Sequence, residues 1–423
     1  MERMIIQYKK SLRLKSALLA VLCSMLILVP VIGIAKADNW TGVYLNSVYM
    51  ASEDNGWIVG EKGTILHWDG NSWYSYDSPT TADLYDVKIL NSGEGWAVGR
   101  EGTILRLKNY QWTKEDIYGL TTAPDTRTRA ITLNAVSMVN SNNGWIVGEW
   151  YRESTKYQDY SWWDSGIILK WDGTKWYLFN SFGSLTPLHD VSMVNINSGW
   201  AVGYDQYYGD YSNPTNKNNV FKWDGVSWSG EHLSAGLFKV SAFSTNEAWI
   251  TAANNRDGLL RWNGGGWTAT SSPTDNQGNW LRVVPIFFSS ADSGWTAGSF
   301  GDETAIFHWN GADWQKQIGF GKAGDFSINL RDIYLPSETS GWVVGEMGTI
   351  LRWDGSTWTV YASSYWPPFW SQWWFLALVA IIVVGVIGSV FLKKRRNRKK
   401  TTSELDRVPD KTGEKAKLNI LNE

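Results

Sequence analysis

Along most of this chain, runs of four to seven residues rich in Val, Ile, Leu, Trp and Tyr alternate with tight clusters of Gly, Asn and Asp. Runs of that length and composition, bounded by turn formers, predict strands and not helices. The pattern repeats. One copy reads Gly56-Trp57-Ile58-Val59-Gly60, a short turn, Thr64-Ile65-Leu66-His67-Trp68-Asp69-Gly70, and then Trp73. The last reads Gly341-Trp342-Val343-Val344-Gly345, a turn, Thr349-Ile350-Leu351-Arg352-Trp353-Asp354-Gly355, and then Trp358. The first tryptophan of each copy falls at 57, 96, 145, 200, 249, 295 and 342, a spacing in the range of propeller blades or solenoid units. Leu45, Leu84, Leu133, Leu188, Leu237 and Leu330 each stand 12 residues before that tryptophan, and Leu281 stands 14 before. Each opens a further strand.

In the first unit the pattern predicts strands over 45–50, 57–60, 64–68 and 73–77. Four antiparallel strands, seven times over, predict an all-β, seven-bladed β-propeller of four-stranded blades spanning residues 38–364, a closed ring with short protected edges. The turn after Gly60 places Trp57 opposite His67 on one sheet face. The equivalent pairs are Trp96/Arg106, Trp145/Lys170, Trp200/Lys222, Trp249/Arg261, Trp295/His308 and Trp342/Arg352. A cation over an indole face adds about 0.5–1 kcal/mol at an exposed site. These basic partners are either a positive ring for an anionic ligand or part of the blade, and their presence in every unit favours the blade. The Trp-Asp/Asn-Gly corners read the same way. Unit seven supplies all four of its own strands, yet Trp40 resembles a fourth-strand start, so an N-terminal clasp stays open as a route to ring closure.

Both ends depart from the repeat. A basic start (Arg3, Lys9, Lys10, Arg13, Lys15), an apolar stretch from Ala17 to Ile34 and the small-x-small site Ala35-Lys36-Ala37 predict a secretory signal over residues 1–37. An uncleaved anchor is the competing reading. The one cysteine, Cys23, lies in this segment, so the mature chain has no disulfide, thiolate metal site or cysteine nucleophile. Residues 373–392 are apolar but for Ser389; as a helix they would span about 30 Å, the thickness of a bilayer core. An aromatic juxtamembrane segment, 365–372, precedes this predicted transmembrane helix, and Trp366, Trp370, Trp373 and Trp374 crowd that border. Lys393, Lys394, Arg395 and Arg396 open a basic tail, 393–423, whose polar composition predicts disorder. By the positive-inside rule the tail is cytoplasmic and the propeller extracytoplasmic, giving a single-pass plasma-membrane protein.

Charge removes one class of partner. Residues 1–37 hold six bases and one acid, and residues 393–423 eleven and five; of the 39 and 41 in the chain, 22 bases and 35 acids remain for 38–392, a net charge of −13. Such a domain repels polyanions, so no nucleic-acid partner is expected.

The segment from Leu330 to Gly355, with its Gly341-Trp342-Val343-Val344-Gly345 and Trp353-Asp354-Gly355 elements, resembles the blade of photosystem II assembly/stability-factor-like propellers. The resemblance covers all seven units. The corners Asp69-Gly70-Asn71-Ser72-Trp73 and Asp354-Gly355-Ser356-Thr357-Trp358 are also similar to the turns of BNR/Asp-box propellers, though one residue shorter, and unit two has Leu107-Lys108-Asn109 in that place. The resemblance implies a non-enzymatic assembly factor that binds a membrane-protein client outside the cytoplasm. The C-terminal anchor departs from the soluble form of that family.

Twenty of the 29 tryptophans belong to the repeat, so function is sought where the chain leaves it. Units three and four carry insertions between their second and third strands, one with Trp150, Tyr151, Tyr157, Tyr160, Trp162 and Trp163, the other with Tyr204, Tyr207, Tyr208 and Tyr211. Equivalent insertions in adjacent blades share one face of the ring with the interblade links, which carry Arg127, Arg129 and Trp280. Aromatic and Arg side chains dominate protein interfaces, and the same rings suit sugar stacking; mutual packing that stiffens long loops is the alternative. Catalytic signals are thin. Asp86, Asp190 and Asp332 recur on the predicted innermost strands; they are acid/base candidates for glycoside chemistry or, given their recurrence, groups that fix turns or solvate the channel. A sialidase arginine triad has Arg127, Arg129, Arg282 and Arg331 as candidates, without the usual Arg-Ile-Pro start motif. His189 and His232 stand alone, and nothing implies a cofactor or a metal. The sequence thus predicts a cell-surface binding or scaffold propeller for an extracytoplasmic or membrane protein client. The runner-up is a glycan binder or sialidase-like hydrolase.

Overall fold

The computed structural model describes residues 40, 42–118, 129–152, 165–181, 186–204, 219–253, 258–274, 282–300, 303–321, 328–363 and 389. Seven sheets form, each built in chain order from consecutive antiparallel strands. Blade one consists of Leu45–Ser52, Asn55–Gly60, Ile65–Trp68 and Trp73–Ser75. The first strands of the other blades are Leu84–Ile89, Arg129–Asn140, Leu188–Asn195, Gly236–Ser244, Arg282–Ser290 and Leu330–Ser337. Each first strand touches the first strands of both neighbouring blades, and that of blade seven touches that of blade one. The result is the predicted seven-bladed β-propeller with the first strands around a central channel. One blade departs from four strands. The link out of blade two lays Ile117–Tyr118 parallel to the outermost strand of blade three, covering an edge otherwise open to pairing.

All seven tryptophan–base pairs stand opposite each other as the register predicts. The innermost strands differ from simple alternation. Leu45 and Val48 are both buried, as are Leu84 and Val87, Leu188 and Val191, and Leu330 and Ile333. A spacing of three cannot share one face of a regular strand. The sheets resolve it with a register shift at this point in every blade, between Leu45 and Ser47 in the first and Leu84 and Asp86 in the second. Such a bulge re-aims the residues it contains. In blade six the position falls on Val283, which pairs with Gly298, two residues after the predicted Leu281. The 12-residue spacing therefore holds in all seven blades.

The core lies between the blades. Five second-strand tryptophans pack against both the third- and fourth-strand tryptophans of the next blade, among them Trp342 on Trp68 and Trp73, Trp96 on Trp171 and Trp176, and Trp145 on Trp223 and Trp228. The paired base bridges the same seam. Arg106 lies 5.5 Å from Trp96 and 5.0 Å from Trp171; Lys222 lies 5.4 Å from Trp200 and 4.3 Å from Trp262. The third-strand indoles of five blades donate to a carbonyl of their own first turn, as Trp171 does to Ser141 at 2.8 Å. At the corners, Asp69, Asp172, Asp224 and Asp354 each accept two backbone N–H groups, and the following glycines hold φ of 91 to 96°. The bases and corners are blade construction.

Blade seven supplies its own four strands, so no strand exchange closes the ring. Trp40 is not a strand; it is buried in the cluster joining blade seven to blade one, beside Trp342 and Ile350. Asp332 completes the seam. Its Oδ2 accepts Val48 N–H at 2.9 Å and meets Ser47 Oγ at 2.9 Å.

The chain divides into Met1–Ser364 and Tyr365–Glu423. The predicted signal, juxtamembrane segment, transmembrane helix and basic tail lie outside the described residues, Ser389 excepted. Among the described residues no helix is long and apolar enough to cross a membrane.

Candidate functional site

Second strands run toward the end of the ring where the first strands begin, so the insertions of blades three and four emerge there side by side. In blade three the sheet extends beyond the level of its neighbours. Arg129 pairs with Arg152, Ala130 with Tyr151 and Ile131 with Trp150, and Trp150 also pairs with Ser165 of the third strand. Arg129, Trp150 and Tyr151 are thus brought together on one sheet extension. Trp150 is half-buried and packs with Ile117 and Ile131 on the seam between blades two and three. In blade four, Tyr204 stacks on His189 with ring centroids 4.3 Å apart and meets Phe238 of blade five edge-on at 4.9 Å. Tyr157, Tyr160, Trp162, Trp163, Tyr207, Tyr208, Tyr211, Arg127 and Trp280 lie outside the described residues.

The channel carboxylates have another task. Asp86 accepts Val87 N–H of its own strand at 2.9 Å and Val136 N–H of blade three at 2.8 Å. Asp190 does the same with Val191 and with Val240 of blade five, and Asp332 with Ile333 and with Val48 of blade one. Ser137 and Ser241 accept Met193 and Phe288 N–H across the seams from blade three to four and from blade five to six, and Ser192 accepts Ala242 N–H on the same seam as Asp190. Aspartate and serine staples therefore tie neighbouring innermost strands, satisfying N–H groups that a channel would leave unpaired. Ser47 Oγ also lies 2.8 Å from Asp86 Oδ1. One hydroxyl proton cannot serve two carboxylates, so the second contact needs a proton on a carboxyl, which fits Asp332, pushed up by burial.

Lys239 faces this cluster. Asp190, Asp332 and Asp86 together raise its ammonium above the ordinary lysine range, against burial. Burial lifts Asp190 to about 7, with Lys239 opposing, and lowers His189 to about 4. The signs are opposite. Asp190 contributes stability fully below its ordinary 3.8 and loses it as pH rises through about 7. His189 contributes fully above its ordinary 6.5 and loses it as pH falls through about 4. The stability difference between wild type and Asp190→Asn is expected to shrink from pH 4.5 to 7 by up to about 1.4 kcal/mol per pH unit. Denaturant melts across that range measure it, and a constant difference would show that Asp190 does not titrate there.

Of the arginine candidates, Arg331 has its side chain engaged within the scaffold. Arg331 lies over Tyr44 at 4.9 Å and 3.8 Å from Glu346. Arg129 and Arg282 start the innermost strands of blades three and six, and Arg127 lies outside the described residues. Sequence reasoning missed the interblade staples and a cleft of about 530 Å³ between blades one and two, lined by Tyr74, Tyr76 and Tyr110. The signal for the cleft was present: unit two is the one that loses the Trp-Asp-Gly corner, opposite a tyrosine-rich fourth strand.

No family model matches the chain, and no curated protein does. Solved structures do. YCF48 bound to D1 peptide is 16% identical, with 74% of this chain and 94% of that chain covered and a TM-score of 0.51. YCF48 from Cyanidioschyzon merolae is 16% identical over 74% and 96%, with a TM-score of 0.49. The WD40 β-propeller domain of Doa1 is 10% identical over 77% and 96%, at 0.48. In fold, this chain is similar to the propeller of YCF48.

Proposed function

We propose that the protein is a membrane-anchored, extracytoplasmic propeller that binds a protein client through the insertion-bearing end of blades three and four, in the manner of an assembly factor. The carrying observation is the convergence at that end: the extended sheet with Arg129, Trp150 and Tyr151 stands beside the blade-four strand that delivers Tyr204. Similarity to a propeller solved with a bound peptide supports a peptide-binding role. The anchor over 373–392 and the signal over 1–37 rest on hydropathy and flanking charge, and they place the client at or outside the plasma membrane. A glycoside hydrolase needs two carboxyl groups free for substrate, whereas those of the channel hold backbone N–H groups across seams.

Photoreactive residues placed at 157 and 208 of the full-length chain, in intact membranes, are expected to cross-link the same protein. A probe at Asn71, on a corner at the other end of the ring, is expected to capture none of it. Equal capture from both ends, or different proteins from 157 and 208, would remove the shared-face reading.

A further inference from the structure

The seam between blades one and two is built differently from its neighbours. At five of the other seams the second-strand tryptophan meets two tryptophans of the next blade; here Trp57 meets Trp112, with Leu107 in the other place. The Asp-Gly corner is replaced by a two-residue turn, Asn109-Tyr110, with φ of 51 and 59°, and Lys108 pairs with Gln111 across it. The left-handed region is unfavourable for a bulky residue such as tyrosine. The core does not require that conformation, because Tyr110 is 64% exposed. The turn is held from blade one, where the Tyr76 hydroxyl donates to the Tyr110 carbonyl. Tyr74, Tyr76, Tyr110, Asp77, Gln111 and Trp112 line the resulting cleft of about 530 Å³, within the range of small-ligand sites.

The charge is equally particular. Where most seams carry Arg or Lys, this one carries His67. Its Nε2 donates to Asn55 Oδ1 at 2.9 Å, so Nδ1 of the neutral ring accepts the Tyr74 hydroxyl at 2.5 Å. Burial keeps the ring neutral by lowering its pKa. Among the described residues no cation lines the cleft, which gives phosphates and acidic sugars no counter-charge from them. The hydroxyl protons of Tyr74 and Tyr76 are already used, which leaves a rim of acceptors: the tyrosine oxygens and the Asp77 carboxylate. Aromatic faces edged by acceptors suit a ligand with apolar C–H faces and many hydroxyl donors. Besides the Gln111 amide, the side-chain donors of the lining are the Ser75 and Tyr110 hydroxyls, since the Trp112 indole is buried.

We propose that this cleft binds a neutral oligosaccharide, stacking sugar rings on Tyr74 and Tyr110 while their hydroxyls donate to Asp77 and the tyrosine oxygens. It lies at the corner of the strands, away from the client face, and stands independently of that reading. The test is saturation-transfer NMR on the full-length chain in a detergent without a sugar headgroup, with cellotriose, maltotriose and chitotriose as probes and sialyllactose and decaproline as comparators. At least one neutral trisaccharide is expected to bind, and the Y74A/Y110G variant to weaken it at least tenfold. Both residues are exposed, and an unchanged melting midpoint confirms that the variant is folded. A control, Val226→Ala on the blade-four corner, should leave binding intact. Failure of all three neutral sugars, binding indifferent to Y74A/Y110G, or preference for sialyllactose or decaproline would each overturn the proposal.

Discussion

Trp171→Ala is expected to cost the propeller about 3–5 kcal/mol, in the range for emptying a large aromatic site in a packed core. Trp171 is fully buried. It receives Trp96 of blade two at 5.6 Å, lies under Arg106 and packs tilted against Trp176 at 5.4 Å, and it satisfies the Ser141 carbonyl. Truncation removes all of these and opens a void on the seam between blades two and three. Blade two offers an internal comparison: Leu107 fills the same position at the seam that carries a cleft. Trp171→Leu should therefore cost clearly less than Trp171→Ala and leave a cleft of similar kind. Chemical denaturation of both variants measures the pair. A loss below about 1 kcal/mol for the alanine variant would contradict the account of the blade seams as the core.

The second large effect is expected at ring closure. Asp332→Ala strands the Val48 N–H on the seam that no covalent link bridges, while the Ser47 hydroxyl keeps Asp86. Leaving a buried donor without its acceptor costs about 1–3 kcal/mol. The loss should also be local, because the blades on either side stand at opposite ends of the propeller sequence. Hydrogen exchange is expected to quicken first at Val48 and along Leu330–Ser337, while blades three to five keep their protection. Asp332→Asn retains an acceptor, and since burial already favours the neutral acid at Asp332, it should cost much less. Uniform loss of protection around the ring would show that Asp332 is not the closing contact.

Much of the architecture was legible because it repeats locally. The Trp57/His67 pairing follows from a short turn and a period of two, and the same arithmetic held in six further blades. The corners were legible for the same reason, since Asp69 reaches N–H groups only two and three residues on. The roles of the channel aspartates were not. Asp86, Asp190 and Asp332 look alike to a reader searching for acid/base pairs, and only the neighbouring blade shows the N–H groups that they hold. The Leu-x-x-Val spacing was a missed warning that the innermost strands could not alternate simply.

The candidate face was legible only in outline. The insertions announced themselves as aromatic departures from the repeat, and the sheet brought Arg129 opposite Arg152, beside Tyr151 and Trp150. The sequence could not distinguish a ring offered to a partner from one packed on the scaffold; Trp150 lies partly in the blade-two seam and Tyr204 stacks on His189.

By itself, then, the sequence determined the number of blades, the strands within each and the pairing of every tryptophan with its base, since these depend on neighbours within about a dozen residues along each hairpin. The tertiary structure alone decided which blade receives each tryptophan, how the ring closes and where a cleft opens. Those depend on contacts between residues far apart in the chain, as with Asp332 and Ser47, separated by 285 positions. Closing the circle brings them together, and nothing in the local pattern encodes which side chain will wait on the other side.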